Sequence, residues 1–95
     1  MMTQPTLGDD ARPKLAAKAQ LRIDPISGEP VLLYPEGMLR LNGTAHAIAM
    51  LCDGEHALEK ILGSLAVEFE VSAEELRSDV VACLHDLQTK RLILY

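Results

Sequence analysis

The hydrophobic periodicity of this chain changes once, and that change constrains the fold more than any other feature. Between Lys18 and Leu41 apolar residues alternate with polar ones or gather in short β-favouring runs, whereas from Ala45 onward they recur every three or four positions. A period of two lays one face of a strand on a core, and a period of 3.6 does the same for one stripe of a helix. Strands therefore come first and helices after them.

Ala19, Leu21 and Ile23 alternate with Lys18, Gln20 and Arg22 and predict a first strand. The segment Asp24-Pro25-Ile26-Ser27-Gly28-Glu29-Pro30 is turn chemistry, and Val31-Leu32-Leu33-Tyr34 returns as a second strand, so the two make a hairpin. After a turn at Pro35-Glu36-Gly37 a short third strand follows, Met38-Leu39-Arg40-Leu41, with Leu39 and Leu41 on one face. Asn42 is a good N-cap for a first helix from Gly43 to Cys52, which Asp53-Gly54 stops. Leu58, Ile61, Leu62, Leu65, Ala66 and Phe69 form the apolar stripe of a second helix. Ser72-Ala73-Glu74-Glu75 reads as a capping box and opens a third, whose core face is Leu76, Val80, Cys83, Leu84 and Leu87. Leu92 to Tyr95 finish as a short strand or an extended tail.

Three short strands followed by three helices make an α+β domain: an antiparallel β-sheet before a three-helix bundle, in a winged-helix-like order. At 95 residues the chain has room for one such domain. Residues 1 to 14, with Pro5, Gly8, Asp9, Asp10 and Pro13 and almost no apolar periodicity, are expected to be a flexible arm, and the domain to occupy 15 to 95. Aromatics are only 3% of the chain against 48% hydrophobic residues overall, so the core must be aliphatic. No apolar run approaches the roughly 20 residues a bilayer span needs, and Met1-Met2-Thr3-Gln4-Pro5 is no signal peptide, so a cytoplasmic protein is expected. Cys52 and Cys83 form no CxxC pair and fall on apolar helical stripes, as reduced, buried thiols would.

Little in the sequence points to catalysis. His46, His56 and His85 lie in three different elements, and there is no HExxH, GxSxG, P-loop or GxGxxG motif. The spacing of His46, Cys52, His56 and Cys83 fits no zinc module, and Asp53-Gly54-Glu55 lacks the further carboxylates of a calcium loop. A winged-helix order raises DNA binding, but the net charge of -5 repels phosphate. The third helix also presents Glu74 and Glu75 where a groove-reading helix carries basic and amide side chains.

Peptide binding has better support. The third strand comes last in the meander, so one of its edges is open to an extended peptide. Val81 lies off the stripe of Leu76, Val80, Leu84 and Leu87 and widens the apolar surface of the third helix. The plainer alternative is that Val81 only broadens the core face and that the N-terminal arm covers the strand edge. A dimeric scaffold without a peptide ligand is a further alternative, since the arm or the hairpin could be exchanged with a second copy.

Residues 35 to 65 carry a more specific pattern. Pro35-Glu36-Gly37, Leu41-Asn42-Gly43-Thr44-Ala45, Ile48, Leu51-Cys52-Asp53-Gly54-Glu55 and the Ile61 to Leu65 helix, extended by Arg22, Val31-Leu32-Leu33, Asp79-Val80, Leu84, Leu87 and Leu92-Ile93, resemble the pyrroloquinoline quinone biosynthesis protein D family. The resemblance covers about residues 12 to 94. It implies a non-catalytic peptide chaperone; no cofactor is expected, and the net charge and the lack of a spanning apolar run argue against nucleic acid and membrane as partners. Such a module binds the ribosomally made precursor peptide of the quinone and presents it to a radical S-adenosylmethionine enzyme. It also implies that the peptide lies beside the third strand and against the third helix, which makes Leu39, Arg40, Leu41, Arg77, Val80, Val81, Leu84 and His85 the candidate peptide-binding residues. Arg40 and Arg77 are expected to pair with acidic groups of the peptide. Two departures from the family pattern stand out: Ala57 replaces the usual Thr and removes a hydroxyl cap from the second helix, and Arg91 stands where Gly would favour a left-handed helix ending.

Overall fold

The computed structural model describes residues 7–95, so the first six residues of the expected arm lie outside the described residues. The elements are β1 (Lys14–Leu15), β2 (Gln20–Ile23), β3 (Pro30–Tyr34), β4 (Gly37–Arg40), α1 (Gly43–Met50), α2 (Leu58–Phe69), α3 (Ala73–Thr89) and β5 (Ile93–Leu94). The expected meander is the antiparallel sheet β2-β3-β4, its strands displaced by one or two residues from the periodicity reading. The expected third strand is thus β4, and Leu41 follows it as a core residue.

Local chemistry explains the joints. Asp24 closes the first hairpin by accepting from the Ile26 amide at 3.0 Å and from the Ser27 hydroxyl at 3.0 Å. Asn42 caps α1 through its Oδ1, which accepts from the Ala45 amide at 2.7 Å, and Ser72 Oγ does the same for α3 from Glu75 at 3.2 Å. Helix α1 ends at Met50 rather than Cys52, because Asp53 turns the chain: its Oδ1 accepts from the amides of Glu55 and His56 at 2.8 and 3.0 Å. Gly54 is required there, since its φ is 81° and a Cβ would sit 3.0 Å from Cδ of Lys14.

The core is aliphatic, as the composition demands. Leu32 of β3, Ile48 and Ala49 of α1, Leu58, Ile61, Leu62 and Leu65 of α2, and Leu76, Val80, Leu84 and Leu87 of α3 close around Leu92 and Ile93. Cys52 belongs to it and donates its thiol to the Ile48 carbonyl at 3.3 Å. Burial pushes that thiol up to about 12. Cys83 departs from expectation: it is only half-buried, because it sits at the margin of the α3 stripe.

The described part of the expected arm, residues 7 to 14, packs on the helices. Pro13 is fully buried, Leu7 touches the core, and β1 pairs antiparallel with β5, Lys14 opposite Leu94 and Leu15 opposite Ile93. Periodicity could not show this, because the apolar anchors Leu7, Pro13 and Leu15 follow no regular spacing and the rest of the hold is through backbone hydrogen bonds. The carbonyls of Ala11 and Asp9 accept from the Leu58 and Glu59 amides at 2.8 and 3.1 Å. They serve the first turn of α2, whose N-cap residue, Ala57, makes no side-chain cap.

The C-terminal path is also resolved. Arg91 takes the left-handed conformation, φ 61°, although it is not glycine. The Leu92 amide then closes on the Leu87 carbonyl at 2.9 Å, which turns Leu92 and Ile93 into the core and β5 onto β1.

Candidate functional site

Strand β4 lies at the edge of its sheet: it pairs with β3 on one side, and among the described residues nothing pairs with its other side. The described part of the N-terminal segment lies against β5 and α2, away from this edge. Exposed sheet edges are ordinarily blunted by charge, proline or a covering element. On β4 the residues are Gly37, Met38, Leu39 and Arg40, so only one of the four is charged. Because Leu41 bonds to Pro30 in the ladder with β3, Leu39 and Gly37 also turn their backbone groups to β3, and the amides and carbonyls of Met38 and Arg40 face outward, available to an extended chain.

Just past this edge the chain enters α1, and a cleft of about 260 Å³ opens between the start of α1 and α3, lined by Asn42, Thr44, Ala45, Ile48, Asp79 and Cys83. Its floor is apolar through Ala45, Ile48 and the Cys83 thiol, which burial keeps protonated by raising its pKa. Its rim is polar through Asn42, Thr44 and Asp79. Asn42, two residues past β4, joins the edge strand to this cleft, and Leu39 is half-buried against the core.

The residues expected to form the groove are only partly together. Leu39 and Leu41 lie on the β4 side, Leu39 half-buried and Leu41 buried. Val80 and Leu84 are fully buried in the core, so they form the floor beneath α3 rather than a surface. Arg77, Val81 and His85 share one stripe of α3, four residues apart, while Asp79 and Cys83 share another. Positions two apart on a helix differ by about 200°, so these stripes are opposite flanks. Arg77 is ion-paired with Asp9 of the N-terminal segment at 2.7 Å, and Val81 is half-buried against the core. His85 is exposed. Arg40 points to the outward face of the sheet and pairs with Glu29 at 3.1 Å. The two arginines expected to meet a peptide thus already hold carboxylates of this chain.

Asp79, Cys83, Asn42, Thr44 and Ala45 line the cleft although apolar periodicity did not single them out as surface. A usable signal existed in the i, i+4 spacing of Asp79 and Cys83 beside the Asn42 cap. Elsewhere, His56 Nδ1 lies 2.8 Å from Asp53 Oδ2, which with the Glu55 amide holds the Asp53 carboxyl down at about 2. That pair stabilises the α1–α2 turn. Among the described residues no group of three or more His, Cys, Asp or Glu side chains is placed to hold a metal ion.

The chain has close counterparts. A family model described as Coenzyme PQQ synthesis protein D (PqqD) matches residues 29–93. A PqqA binding protein of Rhizobium meliloti is 33% identical over 94% of this chain and 91% of its own length. That of Xanthomonas campestris pv. campestris is 35% identical over 93% of this chain and 96% of its own. Among solved structures, the solution NMR structure of the PqqD truncation of Methylobacterium extorquens PqqCD superposes with a TM-score of 0.81 at 25% identity, over 96% of this chain and 97% of that one. That protein is described as a functional, stand-alone recognition element for ribosomally synthesized and post-translationally modified peptides. The crystal structure of PqqD from Xanthomonas campestris gives a TM-score of 0.59 at 34% identity, over 95% of this chain and 100% of that one.

Proposed function

This chain belongs to the PqqD family of coenzyme PQQ synthesis proteins, and from that premise we propose that it takes the ribosomally made PQQ precursor peptide as an added strand and presents it to a radical S-adenosylmethionine enzyme. Curated relatives are PqqA binding proteins, and PqqA is the peptide this reading assigns. The observation that carries the mode of binding is the open β4 edge beside an apolar-floored cleft. Main-chain hydrogen bonds to Met38 and Arg40 give affinity without regard to sequence, and the cleft selects alternate side chains. On this reading the chain is a carrier and not a catalyst, and the bond-forming step belongs to the enzyme. It works in the cytoplasm, where its peptide is made; no helix among the described residues is long and apolar enough to cross a membrane.

Calorimetric titration with synthetic PqqA tests the reading, with circular dichroism to show that each variant folds. The parent chain binds, and Met38→Pro, which removes an outward-facing donor from the edge, does not. Cys83→Trp fills the cleft and lowers affinity about thirtyfold, or about 2 kcal/mol. Should folded Cys83→Trp bind like the parent while Val81→Asp does not, the groove lies instead on the Arg77, Val81, His85 flank. Turnover of the peptide by the purified chain alone overturns the carrier role.

A further inference from the structure

We propose that the outward face of the β2-β3-β4 sheet is a second docking surface, which receives an acidic segment with aliphatic side chains on the enzyme that takes over the peptide. An antiparallel sheet with one face on a core normally turns polar residues to the other. Here the outward set contains Val31, Leu33 and Met38. By register Leu33 lies beside Gln20 and Met38, and Val31 lies between Arg22 and Arg40. Leu33 and Met38 are 37% and 46% exposed, and Ile23 at the end of β2 is 55% exposed. A depression of about 180 Å³ runs between them, reaching from Met38 across Leu33 and Val31 to Arg22, Ile23 and Pro25. Its lining is apolar.

Charge identifies the occupant. The molecule carries a net charge of -5, yet this face turns two arginines outward on either side of Val31. Arg40 is matched by Glu29, but Arg22 donates only to Gln20 Oε1, at 2.8 Å, and takes part in no ion pair among the described residues. Asp24, also at the rim, stays ionised because it accepts from the Ile26 amide and the Ser27 hydroxyl, but it is turned into its own hairpin and makes no ion pair with Arg22. An incoming carboxylate would find a guanidinium without an ion pair beside an apolar depression, and could take it from the neutral Gln20 amide in a bidentate pair. A second copy packed through the same face is the wrong partner, because the carboxylates it would bring, Glu29 and Asp24, are already engaged within their own chain. The precursor peptide is also wrong, because strands lie about 4.8 Å apart and a strand added at β4 is two strand spacings further from Arg22 than β3 is. A partner seated on this face would lie beside the added strand, sharing Met38 as a boundary, without displacing it. Presentation of a bound peptide requires a partner that leaves it in place, so the inference rests on the carrier reading above.

The test compares two titrations, purified radical enzyme and synthetic PqqA, against the parent chain and the variants Arg22→Glu and Leu33→Thr, with circular dichroism as the folding control. Arg22→Gln replaces Arg22→Glu if the latter fails to fold. Enzyme affinity should fall tenfold or more in each variant while PqqA affinity stays within twofold of the parent. Unchanged enzyme affinity in folded variants overturns the proposal, as does a parallel loss of PqqA binding, which would make the face part of the peptide site. Failure of the parent to bind PqqA overturns the carrier reading instead, and enzyme binding by the free chain still reads out the docking surface.

Discussion

Arg91 holds a conformation that side chains resist, and the structure shows what keeps it there. A left-handed backbone at a non-glycine residue costs roughly 1–2 kcal/mol. Here the burial of Leu92 and Ile93 and the pairing of β5 with β1 offset it. Arg91→Gly relieves the strain but gives the unfolded chain more freedom, so a net stabilisation of about 0.5–1 kcal/mol is expected by urea denaturation. Asp53 is the other residue with a measurable signature. Its carboxyl is held from 3.8 down to about 2 by the His56 ring and by backbone amides, so its contribution to stability is present above 3.8 and is lost as pH falls toward 2. Asp53→Asn should therefore be less stable than the parent at pH 6, with the gap narrowing between pH 4 and 2 in thermal melts. The turn pattern Asp53-Gly54-Glu55 was legible in the sequence; that a histidine closes on the first carboxylate was not, because nothing in spacing fixes a rotamer.

Helix α2 shows how an element can borrow its ending. Ala57 offers no hydroxyl, and the amides of Leu58 and Glu59 are met by carbonyls of Ala11 and Asp9 from the other end of the chain. A Thr at position 57 should then add little to the full chain, because the amide it would cap is already bonded. In a chain shortened to begin at Arg12, Ala57→Thr should contribute the full value of about 1 kcal/mol. Calorimetric melts of the four proteins measure the coupling, and additivity would show that the borrowed carbonyls carry no stability. All three helices and the meander could be placed from periodicity and caps, since Leu58 to Phe69 and the Ser72 box follow helix rules closely. The two-residue strand β1 could not, because two residues carry no period, whereas β5 falls within Leu92 to Tyr95, where a short strand or an extended tail is expected. The cleft was half legible for a related reason: stripes of apolar residues mark what faces the core, whereas Asp79 and Cys83 flank that stripe.

At the level of the whole molecule, the sheet and the helical layer share a core closed by residues far apart in sequence. Leu92 is fully buried among side chains of that core, and its carbonyl accepts from the Ala16 amide at 2.8 Å. Leu92→Ala should cost about 2–4 kcal/mol, through the lost side chain and the cavity it leaves. Hydrogen exchange gives a sharper readout: the amides of Leu15 and Ala16, bonded to Cys52 and Leu92, should lose protection along with the C-terminal strand. Retained protection in the destabilised variant would mean that the N-terminal segment holds on without β5.

The pairing of β1 with β5 sets the order in which a nascent chain can finish folding. A ribosome releases Lys14 and Leu15 long before Ile93 and Leu94. Until those later residues emerge, β1 has no partner strand and Leu92 and Ile93 are missing from the core, although the β2-β3-β4 meander needs only local contacts. The open edge of β4 can thus exist on a half-made molecule, before α3 is there to wall the cleft, so the edge and the cleft beside it are completed at different times.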